Sequence, residues 1–159
     1  MGCDIHMYLE KYNKNKSCWE TFDFWELNEY YLEDEGEDKW VVCEFDDHRW
    51  YDKFCILQNG VRGEANGPYV PDKGFPSDAC PEVNAVYKRW ELDAHSPNWC
   101  TASEFRHLVA QYRVLRGSES PLANMHEALE NHIKRKLKWN HIIENQNMDH
   151  IRMVYWFDN

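Results

Sequence analysis

The sequence predicts an α+β fold, with an antiparallel or mixed sheet that includes both ends of the chain, two helices in the C-terminal half and a loop-rich middle that forms a pocket. Three observations support this. Apolar and polar residues alternate at 2–10, apolar residues recur at helical spacing after residue 100, and 151–157 is apolar on both faces, as in a central strand covered on both sides. The 159 residues suit one domain, 1–159.

The first predicted strand occupies residues 2–10. Side chains two residues apart on a strand point to the same face, so Asp4 and His6 are neighbours on one face. The other face carries the apolar residues Cys3, Ile5, Met7 and Leu9. This alternation is typical of a half-buried strand.

Segments 18–27 and 40–45 supply further strands, with Gly36 and acidic residues between them. In residues 46–100, glycines and prolines interrupt any long periodic element. Such turn-rich segments commonly form the loops that build a pocket over a sheet.

Two helices are predicted after residue 100. Thr101 and Glu104 form a capping box, and the helix that follows ends at Gly117. Its apolar residues at helical spacing are Phe105, Leu108, Val109, Tyr112 and Leu115. A second helix begins near Pro121, a favourable early position for proline, and runs to about Glu144.

The charge of the chain is concentrated in one segment. The net charge is -10, and residues 29–47 hold nine acidic residues against one lysine. The rest of the chain is almost balanced, so a basic pocket for a phosphorylated small molecule is permitted, whereas binding to duplex nucleic acid is not expected. We interpret the acidic segment as a solvated loop or strand face, with an interface to a basic partner as the alternative.

The six cysteines include no Cys-x-x-Cys pair, and no signal-peptide pattern precedes them. We expect reduced thiols and a cytoplasmic protein. No apolar stretch approaches the roughly 20 residues that cross a bilayer, so no membrane partner is expected.

The pattern Asp-x-His occurs twice, as Asp4-Ile-His6 and Asp93-Ala-His95. On a strand, residues two apart lie roughly 6.6 Å apart at the backbone, so both side chains of a pair can reach one ion or one phosphate. We expect the two pairs to meet in one cleft. The four side chains would then be catalytic residues, as ligands of a divalent metal such as Zn²⁺, Mn²⁺ or Fe²⁺, or as metal-free acids and bases with both histidines flanking a phosphodiester. A structural role for either pair is the alternative.

Other residues are candidates for holding the ligand. Arg62 lies between Gly60 and Gly63, where the backbone can turn sharply around an anion, although a plain turn with a surface arginine gives the same pattern. Basic residues would hold phosphate, a hydroxyl beside the capped helix would add a donor, and aromatic rings, Trp50 among them, would stack on a base. The predicted ligand-binding set is Arg49, Tyr51, Arg62, Lys73, Ser96 and Trp99.

Taken together, these motifs resemble a family of uncharacterised proteins of bacteriophages and bacteria. The matching stretches are MGCDIH at 1–6, Arg49 and Tyr51, GVRG at 60–63, GFPSD at 74–78, DAHSPNW at 93–99 and YWFDN at 155–159. The chain departs from the pattern at Asn98, where serine is usual, and at Lys73, where arginine is common. The first departure argues against a nucleophile at that position, and the second puts a strict guanidinium role in doubt.

The resemblance implies a phage setting and a shared site, but no established activity. The leading hypothesis is a hydrolase, a phosphodiesterase that cleaves a nucleotide-like small molecule, such as a cyclic nucleotide signal of bacterial immunity, in the host cytoplasm. One alternative is a protein that sequesters the same ligand without turnover. Another is an acidic inhibitor of a host protein. The sequence does not decide between a monomer and a homo-oligomer.

Overall fold

A four-stranded antiparallel sheet forms the centre of the molecule in the computed structural model. The structure describes residues 2–23, 25–29, 31–33, 39–46, 48–90, 92–139 and 147–159, with backbone only for 136–139. The strands are β1 (Asp4–Asn13), β2 (Cys18–Thr21), β3 (Trp25–Leu27), β4 (Trp40–Val42), β5 (His95–Thr101) and β6 (Ile151–Asp158). The main sheet has the order β2-β1-β6-β5, and β3 pairs with β4 in a separate two-stranded sheet. The predicted α+β class, with both terminal segments in an antiparallel sheet, is confirmed.

Within the described ranges, four helices pack around the sheets. They are α1 (Tyr51–Leu57), α2 (Pro81–Arg89), α3 (Ala102–Arg116) and α4 (Ala123–Trp139), with short 3₁₀ turns at Gly117–Glu119 and Met148–His150. The sequence predicted α3 and α4, whereas α1 and α2 lie in the segment expected to consist of loops. Both are short, so they show too few repeats for a helical period to be recognised. The predicted end of the second helix, near Glu144, lies outside the described residues.

Helix α3 begins at the predicted capping box. The Thr101 hydroxyl accepts a hydrogen bond from the Glu104 backbone N–H at 3.0 Å, and the Glu104 carboxylate accepts one from the Thr101 N–H at 2.7 Å. The helix ends at Gly117, whose φ of 62° favours glycine. Of the five apolar residues at helical spacing, Phe105, Leu108, Val109 and Tyr112 are buried, and Leu115 is 59% exposed.

Both faces of the main sheet are covered. One face packs against α1, α3 and α4 through a core that includes Ile5, Met7 and Phe157. The other face carries Tyr8 and Trp156 and packs against β4 and α2 through a smaller apolar cluster. This second layer explains why β6 is apolar on both faces.

A buried ion pair ties β1 to β6. Glu10 and Arg152 are opposite each other in the register, and their side chains are 0% and 1% exposed. The Arg152 guanidinium also lies between two indole rings, 4.0 Å from the centroid of Trp19 and 5.2 Å from that of Trp99. Among the helices that the structure describes, none is long and apolar enough to cross a membrane.

Candidate functional site

The two Asp-x-His pairs do not share a cleft. In the register of the sheet, His6 is opposite Trp156, and His95 is opposite Phe157. Residues that face each other in an antiparallel pair lie on the same side of the sheet, and consecutive residues on β6 point to opposite sides. His6 and His95 are therefore on opposite faces, and the prediction of one catalytic set is wrong.

Asp93 does not form part of a strand. Strand β5 begins at His95, and the backbone N–H of Asp93 donates to the Trp90 carbonyl at 2.7 Å in a turn after α2. Its side chain is exposed. The two-residue spacing therefore does not set this aspartate beside His95 as a strand would, and its predicted catalytic and metal-binding roles are not supported.

His6 is held by two carboxylates. Its Nδ1 is 2.5 Å from Glu44 Oε1, its Nε2 is 3.4 Å from Asp158 Oδ2, and its ring centroid is 4.2 Å from that of Trp90. Burial lowers the pKa of His6, but the hydrogen bond and charge of Glu44, with a smaller contribution from Asp158, raise it more, so the net pKa lies above the usual 6.5. Nδ1 is therefore paired with Glu44, as in an ion pair rather than a free acid or base, and Nε2 is enclosed near Asp158 without a hydrogen bond among the described residues.

Asp4 is paired with Arg49. The guanidinium donates to both carboxylate oxygens, with 2.7 Å between Nη2 and Oδ2, and this bond lowers the pKa of Asp4. The same guanidinium packs on Gly2, where an added Cβ would lie 3.0 Å from Nη1. Asp4 and Arg49 therefore balance each other's charge, which argues against the predicted roles of Asp4 as a metal ligand and Arg49 as a phosphate ligand.

The predicted metal site does not form. Among the residues that the structure describes, no group of three or more histidine, cysteine, aspartate or glutamate side chains is arranged to hold a metal ion. The set Asp4, His6, Asp93 and His95 is split between two faces of the sheet and a turn. The prediction of a zinc, manganese or iron centre built from these four residues is therefore wrong.

A polar pocket opens where β1 and β5 begin and β6 ends, on the face of the sheet that carries His95. We call it the Arg62 pocket; it has a volume of about 450 Å³. Its lining residues are Cys3, Asn59, Gly60, Val61, Arg62, His95, Ser96 and Asn159. The volume lies within the range of about 300–1,000 Å³ that is typical of small-molecule sites.

The backbone at this pocket is unusual. Gly60 and Gly63 have φ values of 97° and 134°, and Arg62, at 58°, adopts the left-handed conformation. Ser96 does the same at 50°, at an irregularity in β5. Among the described residues, the third non-glycine residue with positive φ is Ser17, in the turn between β1 and β2. This conformation costs of order 1–3 kcal/mol for a side-chain-bearing residue and occurs often at functional sites.

Arg62 is held in place from two sides. Its guanidinium carbon is 5.0 Å from the centroid of the Tyr51 ring, a cation–π distance. It also lies close enough to the Cys3 thiol to affect it: burial raises the pKa of Cys3 and the Arg62 guanidinium lowers it, with a net increase. Tyr51 therefore contacts the side chain of Arg62 but does not line the pocket itself.

His95 and Ser96 form a close pair in the pocket. The distance between His95 Nδ1 and Ser96 Oγ is 3.0 Å. The imidazole stacks on Phe157 with centroids 6.1 Å apart. Its Nε2 is enclosed and has no hydrogen-bond partner among the residues that the structure describes. Of its two ring nitrogens, Nδ1 is therefore the one that contacts another lining residue of the pocket.

Lys73 and Trp99, two of the predicted ligand-binding residues, lie outside the Arg62 pocket and contact each other. The Lys73 ammonium is 4.0 Å from the centroid of the Trp99 ring and 2.9 Å from Glu104 Oε2 of the capping box. Neither side chain lines the Arg62 pocket. Asn98 is also structural, because its amide accepts from the Lys73 backbone N–H and donates to two carbonyls, those of Leu57 and Pro71.

Three lining residues with polar or sulfur-bearing side chains were missed, namely Cys3, Asn59 and Asn159. Cys3 and Asn159 lie inside the stretches MGCDIH and YWFDN, and Asn59 directly precedes GVRG. A rule that includes every polar or sulfur-bearing side chain in the motif stretches and beside them would have found all three.

Comparisons with protein-family models, curated proteins and solved structures give no match. The resemblance to phage and bacterial proteins therefore stays a prediction, and the function has to be argued from the pocket.

Proposed function

We propose that the protein binds a phosphorylated small molecule of nucleotide size in the Arg62 pocket. The observation that carries this proposal is the presence of a guanidinium, a hydroxyl and an imidazole in one polar pocket, from Arg62, Ser96 and His95. Arginine recognises phosphate through parallel hydrogen bonds of fixed geometry, and a hydroxyl adds a further donor.

The other walls fit the rest of a nucleotide. The amides of Asn59 and Asn159 each offer a donor and an acceptor, which suits the edge of a base or the hydroxyls of a sugar. The volume of about 450 Å³ favours a mononucleotide or a compact cyclic nucleotide over a polymer. A signal nucleotide of bacterial immunity belongs to this class.

Hydrolysis of a phosphodiester in the same pocket is the second candidate function. It is favoured by the 3.0 Å contact between His95 Nδ1 and Ser96 Oγ, which sets an acid or base group beside a hydroxyl. The site differs from the predicted pair of histidines, because His6 lies on the other face of the sheet.

Calorimetric titration with inorganic phosphate and a panel of cyclic and linear nucleotides tests the binding proposal. Arg62→Gln should weaken binding of the best ligand by about tenfold or more, because a charge-assisted contact is lost. Arg49→Gln is the matched control and should change the affinity by less than about twofold, because that guanidinium is paired with Asp4 outside the pocket. Equal affinities of wild type and Arg62→Gln, or no binding by any of these compounds, contradict the proposal.

Chromatography of the ligand after denaturation of the protein separates the two candidates. Intact nucleotide supports sequestration. Cleaved nucleotide that is absent with His95→Gln and with Ser96→Gly supports hydrolysis. Cleavage that persists in both of these variants excludes His95 and Ser96 as its cause.

A further inference from the structure

We infer that Ser96 is a nucleophile that accepts the phosphoryl group of a phosphoester bound in the Arg62 pocket, with His95 as its general base. This inference rests on the proposed binding of a phosphorylated ligand. It adds a covalent route to hydrolysis and assigns its nucleophile.

The surroundings of the imidazole lead to this assignment. His95 Nε2 is enclosed and therefore out of reach of a ligand, while Nδ1 is 3.0 Å from Ser96 Oγ. The nitrogen that remains available for proton transfer is therefore the one that contacts the serine hydroxyl. A hydroxyl that hydrogen-bonds a neutral imidazole is the usual form of an activated serine.

The backbone supports the same assignment. Ser96 has a φ of 50° where β5 departs from its regular register with β6 between His95 and Asn98. The serine lines the same pocket as Arg62, which has a left-handed backbone itself. Unfavourable backbone conformations at two lining residues are expected where a side chain has to be aimed at a ligand.

The charge that develops during the reaction has a partner in the same pocket. Attack on phosphorus leaves negative charge on the phosphoryl oxygens, and a fixed guanidinium stabilises it. The ring of Tyr51, 5.0 Å from the guanidinium carbon, limits the movement of Arg62. The site thus combines a nucleophile, a base and a positive charge.

The reaction is balanced with water as the second substrate. Ser96 Oγ forms a bond to phosphorus, its proton moves to His95 Nδ1, and the bond from phosphorus to the leaving oxygen breaks. The imidazolium returns that proton to the leaving oxygen. Water then attacks the phosphoserine and gives a proton to Nδ1, the bond between phosphorus and Oγ breaks, and Oγ takes the proton back.

A fluorophosphonate probe tests the nucleophile without knowledge of the natural ligand. It reacts with an activated serine by losing fluoride, and intact-protein mass spectrometry with peptide mapping locates the adduct. We expect one adduct, on Ser96, that forms about a hundredfold or more slowly in His95→Gln, because general base catalysis is lost. Ser17→Ala is the matched control, since Ser17 also has positive φ but is exposed in a turn, and its labelling rate should equal that of wild type.

A second variant keeps the test independent of folding. Ser96→Gly suits the positive φ and should keep the thermal unfolding midpoint of wild type within a few degrees, yet it should take up no probe at this position. Labelling spread over several serines, no label on Ser96, or an unchanged rate in His95→Gln overturns the inference. Nucleotide binding by a wild type that takes no label overturns the nucleophile alone, whereas labelling of Ser96 without nucleotide binding overturns the proposed function.

Discussion

The buried ion pair between Glu10 and Arg152 allows a sharp test of what holds the two central strands together. Glu10 Oε2 accepts from Arg152 Nε at 2.5 Å, and Glu10 Oε1 accepts from the Cys80 backbone N–H at 2.6 Å. Both side chains are almost fully enclosed. Glu10→Gln keeps the shape and removes the negative charge, so the guanidinium stays buried with its charge unbalanced on that side.

The expected effect is large. Removal of one partner of a buried pair costs about 3–5 kcal/mol. For a chain of this size each kcal/mol lowers the unfolding midpoint by about 2–4 °C, so we expect a decrease of roughly 6–20 °C. The matched control is Asp78→Asn, which removes the second carboxylate of the same arginine. Because the Asp78 side chain is 64% exposed, we expect a loss of only about 0–1 kcal/mol.

Calorimetry and urea denaturation followed by tryptophan fluorescence measure both variants. The reasoning is refuted if Glu10→Gln and Asp78→Asn lower the free energy of unfolding by the same amount. A variant more stable than wild type would contradict it as well, since the pair would then oppose folding.

Two further predictions concern His6 and the capped helix. Glu44→Gln should lower the pKa of His6 in an NMR titration, because the largest contribution that raises it is removed. Because the pKa of His6 is raised in the folded state, the stabilisation by Glu44 is fully present below about pH 6.5 and is lost as the pH rises through the folded-state pKa. The difference in unfolding free energy between wild type and Glu44→Gln should therefore shrink with rising pH. A difference that stays constant with pH would contradict the pairing. Thr101→Ala should cost about 0.5–2 kcal/mol in urea denaturation, and a loss no greater than that of Ser118→Ala would argue against the cap.

The fold was predictable where a local pattern carries the information. Strand β1 was recognised from its alternation, β6 from its apolar faces and α3 from its cap and terminal glycine. Helix α2 was missed because nine residues that begin with proline after a turn-rich segment resemble a loop. Prolines and glycines indicate where the chain turns, but they do not exclude a short helix between two turns.

The site was predictable only in part, because its composition depends on strand register. The setting of Arg62 between two glycines is local, and the structure has this residue in the pocket. The side of the sheet that His95 takes depends on its pairing with Phe157 of β6, which lies far along the chain. A slip of one residue would turn His95 to the face of His6, and the sequence of β5 does not fix that register.

The motif stretches at the two ends of the chain contribute residues both to the Arg62 pocket and to ion pairs outside it. In MGCDIH, Cys3 lines the Arg62 pocket, while Asp4 and His6 make ion pairs on the other face. In YWFDN, Asn159 lines the pocket, and Asp158 contacts His6 and accepts from the backbone N–H of Asp4 at 3.2 Å. The two contacts of Asp158 join the start of β1 to the end of β6, and the residues next to these strand ends, Cys3 and Asn159, line the pocket. Loss of the Asp158 side chain should therefore weaken ligand binding only through the geometry of these strand ends, whereas loss of Arg62 should weaken it directly.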